Sequence, residues 1–125
     1  MKKIIVTKNA PAAIGPYSQA IQAGNMLFAS GQLGLVPESG EFAAQDVKGQ
    51  TEQAFKNIHA VLAEAGYAIE DVVKVTVFLA DMGDFGTVNE VYATQFKDTY
   101  PARSAVAVKT LPKNALVEIE IIAVK

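Results

Sequence analysis

Val117, Ile119, Ile121 and Ala123 alternate with Glu118, Glu120, Ile122 and Val124 near the end of the chain. A period of two marks a strand, and here one face is wholly apolar. The pattern predicts a strand over Leu116–Val124. Val72–Ala80 is rich in β-branched residues and predicts another, with Val73, Val75, Val77 and Leu79 on one face and Val72, Lys74, Thr76 and Phe78 on the other. Shorter strands are expected at Lys2–Thr7, Tyr17–Ala23, Met26–Ser30 and Arg103–Lys109. Gly24-Asn25 is a hairpin signal between the second and third strands. Ala10–Pro16 cannot be regular, and Gly31, Gly34, Pro37 and Gly40 make Gly31–Ala44 an expected loop.

The period changes after Asp46. Val47, Thr51, Ala54, Phe55, Ile58, Val61, Leu62 and Ala65 follow at spacings that put them on one stripe of a helix. Asp46 suits the N-cap and Gly66 the C-terminal stop, while Glu52, Gln53, Lys56 and Glu64 occupy the opposite stripe. A second helix begins at Asp81 or Asp84, faces inward through Phe85, Val88, Tyr92, Gln95 and Phe96, and ends at Tyr100-Pro101. The order β-β-β-α-β-α-β-β predicts an α+β fold: a single domain over residues 1–125, a six-stranded mixed sheet with two helices on one face.

Two helices cover only one face of such a sheet. The other face carries Phe78, Leu116, Ile122 and Val124. Such a patch calls for a second copy of the chain or for the Gly31–Ala44 loop folded over it. Self-association is the preferred expectation, because closed homo-oligomers are common. Glu118 and Glu120 sit in the same face. Either they pair with Lys74 or Lys109, or they open onto a water-filled cleft between subunits.

Composition narrows the chemistry. With 125 residues, 50% of them hydrophobic, the chain can bury one core and is too apolar to be disordered. No apolar run approaches the ~20 residues of a membrane span. The stretch Met1–Asn9 is too short in apolar residues for a signal peptide, so a cytoplasmic location is expected. There is no cysteine and one histidine, His59, which disfavours a structural zinc site. His59 also falls mid-helix, away from any expected nucleophile. A net charge of −2 argues against a nucleic-acid partner. Arg103 is the single arginine, and so the only planar fork for bidentate carboxylate recognition.

Read one at a time, Tyr17, Ser30-Gly31, Pro101-Ala102-Arg103-Ser104 and Glu118 are ordinary. As a series they are not. Ala10–Gln19, Phe28–Gln32, Asn57–Gly66, Val73–Phe78, Val88–Tyr92, Pro101–Ser104, Leu111–Lys113 and Val117–Glu120 together resemble the RidA (YjgF-type) family of reactive imine/enamine deaminases, in order and along the whole chain. The resemblance implies a chorismate-mutase-like fold and a homotrimer with clefts between subunits. It implies hydrolysis of 2-iminobutanoate or 2-iminopropanoate to the 2-oxo acid and ammonia, with no cofactor and no metal. These imines are the reactive products of pyridoxal-phosphate-dependent dehydratases.

By the same resemblance, Arg103, Glu118 and Tyr17 are the expected catalytic residues, and Gly31, Ser30, Asn89 and Ala105 line the substrate site. Arg103 would grip the substrate carboxylate through parallel N–H bonds. Glu118 would hold or deprotonate the attacking water. Tyr17 would close the pocket near the imine nitrogen, backbone N–H groups at 31 and 105 would donate, and Asn89 can come from a neighbouring subunit. Many relatives carry cysteine where this chain has Ala105; imine hydrolysis needs no covalent nucleophile, so the backbone donor suffices. Glu120 is expected to be an interface or ion-pair residue rather than a second catalytic acid. The rival expectations are a non-catalytic ligand-binding or regulatory trimer, an RNA-acting protein, and a chaperone.

Overall fold

Six strands form one mixed sheet with two helices against it, in a computed structural model that describes all residues from Met1 to Lys125. In chain order the elements are β1 (Lys2–Ile5), β2 (Ala20–Ala23), β3 (Met26–Leu33), α1 (Val47–Ala65), β4 (Val72–Leu79), α2 (Phe85–Ala93), β5 (Ala102–Ala107) and β6 (Val117–Val124). Across the sheet they run β1-β2-β3-β6-β4-β5. Only the β4–β5 pair is parallel, and α2 is its crossover. This is the expected α+β architecture.

Helix α1 forms where the periodicity placed it. Asp46 accepts a hydrogen bond from the Gly49 N–H at 2.9 Å, and Gly66 ends the helix at φ 80°. Ala54, Phe55, Ile58, Val61 and Leu62 are essentially fully buried. Each of the larger side chains contributes about 1.5–3 kcal/mol by leaving water. Against them lie Val75, Val77, Leu79, Val117, Ile119 and Ile121.

Two of the buried polar residues of that helix bond to distant backbone. Asn57 donates to the Leu33 and Leu35 carbonyls, and Gln50 accepts from the Leu116 N–H. They fix the chain after β3 and the entry to β6.

Five expectations need correction. β3 continues through Gly31 to Leu33, because Ser30 and Gly31 form a bulge between Ala29 and Gln32, where glycine is tolerated. β2 starts only at Ala20 and β1 stops at Ile5. In β4 a bulge at Val73 flips the parity: Val72 is buried and Val73 is 45% exposed. α2 ends at Ala93, well before Tyr100. There the Thr94 hydroxyl donates to the Val91 carbonyl, and the chain turns so that Phe96 packs on Tyr92 and Phe55.

The other sheet face is still apolar. Register aligns Ile4, Ile21, Phe28 and Ile122 in one row across four strands. Ile4, Phe28 and Val106 on this side are exposed, and the segment after β3 does not cover them.

Candidate active site

Glu118 and Gly31 lie against each other. A Cβ at position 31 would overlap the Glu118 carboxylate, whose Cδ would stand 2.8 Å away. Glycine is therefore required by close approach. The β3 bulge aims this contact into a cleft of about 770 Å³ that Tyr17, Ser30, Gly31 and Glu118 line together. The Ser30 hydroxyl donates to the Ser18 carbonyl at 2.6 Å, so its proton is committed to the segment that carries Tyr17. Tyr17 itself is half exposed at the cleft.

No lysine neutralises Glu118. Lys74 Nζ instead donates to Ser104 Oγ at 3.1 Å, contrary to the expected pairing. Burial pushes the Glu118 carboxyl above its ordinary range, and the charge of Glu120 adds to the rise. A carboxylate of raised basicity beside an open cleft can take a proton from water.

Arg103 sits elsewhere. It lies near the start of β5, at the sheet edge, with its guanidinium carbon 4.6 Å from the Tyr92 ring centroid and 5.1 Å from that of Phe85. Nη1 donates to Asn89 Oδ1 at 2.6 Å. The aromatic faces and Asn89 hold the guanidinium without a carboxylate, which leaves its other N–H groups for a ligand. The cation also opposes the effect of burial on the Tyr92 hydroxyl, which burial nonetheless pushes up.

Strand parity keeps the two groups apart. Arg103 pairs with Val75, and Val75 with Ile121, a row that faces the helices. Glu118 pairs with Phe78, and Phe78 with Val106, on the uncovered face. Of the expected site residues, Tyr17, Ser30, Gly31 and Glu118 converge, and Asn89 meets Arg103. Ala105 is half-buried beside Val77 and lines neither group's contacts. The two clusters do not meet within one chain.

Gln19 belongs to the first cluster and was not foreseen. It is buried, lines the cleft and bonds the backbone of residues 7–11. Its signal in the sequence was only a polar residue beside the Tyr17-Ser18 pair. His59 stays outside both clusters, with Nε2 bonded to Gln95 Oε1. No group of three or more acidic, histidine or cysteine side chains is placed to hold a metal ion.

Comparison with known proteins gives a consistent result. Residues 7–125 match the family described as Endoribonuclease L-PSP. A RutC family protein of Pyrococcus horikoshii is 56% identical over 100% of this chain and 99% of its own length. The 2-iminobutanoate/2-iminopropanoate deaminase of Mus musculus is 51% identical over 100% of this chain and 93% of its own. Among solved structures, the Rid-family protein YyfA of Yersinia pestis superposes with a TM-score of 0.97 at 50% identity, covering 100% of both chains. Escherichia coli TdcF with bound serine gives 0.94 at 47% identity, covering 98% of each.

Proposed function

The chain belongs to the Endoribonuclease L-PSP family, which includes the RidA-type deaminases, and from that premise we propose that it hydrolyses small 2-imino acids such as 2-iminobutanoate and 2-iminopropanoate. The observation that carries this reading is the basic, unpaired Glu118 carboxylate held against Gly31 in an open cleft. Strong identity to a protein named for this reaction supports it.

The site is completed by a neighbouring copy. Arg103 and Glu118 point to opposite faces of one sheet, and the face that holds Glu118 is apolar and uncovered. A homotrimer in which each uncovered face meets its neighbours closes that surface and brings Arg103 of one subunit to Glu118 of the next. Arg103 then grips the substrate carboxylate and sets the C=N carbon within reach of water. Glu118 takes a proton from that water as its oxygen bonds to the carbon. The proton passes to nitrogen, the carbinolamine loses ammonia, and the 2-oxo acid is left. In this reading the backbone N–H groups at Gly31 and, from the neighbouring copy, Ala105 serve the carboxylate, and the Tyr17 hydroxyl serves the leaving nitrogen. No cofactor enters, because the imine is already an electrophile. We place this chemistry in the cytoplasm, where pyridoxal-phosphate-dependent dehydratases would release the imine.

A coupled assay tests the reading. A threonine dehydratase generates the imine, semicarbazide traps it, and the protein suppresses the trapped adduct. Wild type should suppress it and Arg103→Ala should not. Equal suppression by both would remove Arg103 from the mechanism, and none by a well-folded wild type would reject the activity.

A further inference from the structure

Ala10 joins the core, but beyond it the segment that carries Tyr17 has little apolar anchorage. Ile14 is 83% exposed and Tyr17 is 52% exposed. Gly15 has φ 123°, a conformation that side chains other than glycine's avoid, and its carbonyl accepts the Tyr17 N–H at 2.9 Å. Something else must hold such a segment over the cleft.

The β1–β2 ladder ends at Ile5 and Ala20. Beyond it, the side chain of Gln19 takes over the pairing. Its Oε1 accepts from the Thr7 N–H at 2.7 Å, and its Nε2 donates to the Thr7 carbonyl at 3.0 Å. A primary amide thus mimics a peptide group in an antiparallel pair. Nε2 also reaches the Ala10 carbonyl at 3.3 Å and the Pro11 carbonyl at 2.8 Å. The backbone of Gln19 is itself fastened, its carbonyl accepting the Ser30 N–H at 2.9 Å. One residue, 3% exposed, therefore ties the start of the segment to its end through its side chain, and to the bulged strand that holds Gly31 through its backbone.

We propose that Gln19 is a positioning residue for Tyr17, its amide holding residues 7–17 in the conformation that places the tyrosine over the cleft. The inference rests on the imine-hydrolase reading above.

The test joins hydrogen exchange to a double-mutant cycle. Gln19→Met keeps length and loses all four bonds. It should speed amide exchange at residues 7–17 selectively and lower kcat/KM about 10- to 100-fold. Tyr17→Phe should then lose most of the effect that it has in wild type, because the two act through one geometry. Multiplicative losses, or full activity with a loosened segment, would overturn the proposal. So would unchanged exchange at residues 7–17. Should Gln19→Met fail to fold, Gln19→Glu, which keeps the acceptor for Thr7 and loses the donors, is put through the same cycle, and the same outcomes support or overturn the proposal. A wild type without imine hydrolase activity fails the underlying reading, and this is seen before any variant is made.

Discussion

Glu118 and Arg103 reach their places by different physical routes. Glu118 is set by backbone: a bulge in β3, a glycine that lets the carboxylate approach, and hydrogen bonds that fasten the neighbouring segment. Arg103 is set by side chains, lying on the faces of Tyr92 and Phe85 with Asn89 as acceptor. The first arrangement raises the basicity of an anion by burial and by a like charge. The second keeps a cation at the surface without a counter-ion. Each is electrostatically incomplete, and they face opposite sides of one sheet. The difference teaches that the single chain stores two half-sites whose charges are left for something else to satisfy.

The largest effect should come from removing one half at a time. Glu118→Gln is expected to lower kcat about 10²- to 10⁴-fold, the usual worth of a general base. Arg103→Ala should abolish productive carboxylate binding. Refolding the two variants together sharpens the comparison. If each site takes Arg103 from one subunit and Glu118 from the next, random 1:1 trimers keep about a quarter of their sites intact. Recovery of roughly that fraction of wild-type activity confirms shared sites. Mixed oligomers that form and stay inactive would put both half-sites in one chain's service after all.

Gly31→Ala attacks only the first half. The added methyl overlaps the Glu118 carboxylate, so either the strand or the side chain must shift. Overpacking of this kind costs about 1–3 kcal/mol in stability. Urea denaturation should show that loss. In the proposed mechanism the carboxylate holds the attacking water, so kcat should fall more than about 10-fold as it shifts, in line with the sensitivity of positioned groups. A fully active, fully stable Gly31→Ala would mean that the contact is not held in solution.

Phe85→Leu probes the second half more gently. It removes one of the two rings under Arg103 and leaves Tyr92. A cation–π contact at an exposed site is worth about 0.5–1 kcal/mol. KM should therefore rise about two- to fivefold, with kcat nearly unchanged, because in the proposed mechanism the guanidinium grips the carboxylate alike in ground state and transition state. A fall in kcat at constant KM would give the ring a different role.

The sequence was most legible where the signal is local. The stripe from Val47 to Ala65, with Asp46 before it and Gly66 after it, specifies α1 almost residue by residue. The alternation in β6 did the same for its two faces. Legibility failed where distant partners decide. The bulge at Val73 is settled by pairing with Ile122 and Ala123, roughly fifty residues on, a reach at which local pattern carries no register. The early end of α2 follows from Phe96 packing on Phe55 across the helix layer. Nothing local singles out Gln19, Gln50 and Asn57, yet each is buried because backbone groups far along the chain need its amide. The grouping of Tyr17, Ser30, Gly31 and Glu118 was visible only as a family resemblance. Why Arg103 should stand apart from them becomes physical only once the register shows the opposite faces.

The smallest effect tests the electrostatics of the first half alone. Glu120 raises the Glu118 carboxyl by like-charge repulsion, as a lesser cause behind burial. Glu120→Gln removes that repulsion and leaves burial, so the folded value falls part of the way back. Glu118 must be ionised to act as a base, and the acid limb of kcat against pH should move to lower pH in this variant, with the plateau unchanged. Stability carries the opposite sign. A carboxyl raised in the folded state favours folding while it is protonated, and that contribution is lost as pH rises through the folded value. Glu118→Gln, which cannot ionise, should therefore gain stability relative to wild type as pH rises above about 4, the ordinary glutamate value, and the gain should level off above the raised folded value. The two measurements are independent, one kinetic and one thermodynamic. An acid limb that stays in place in Glu120→Gln would show that burial alone sets Glu118, and a limb that moves the wrong way would mean that Glu118 is not the group being titrated.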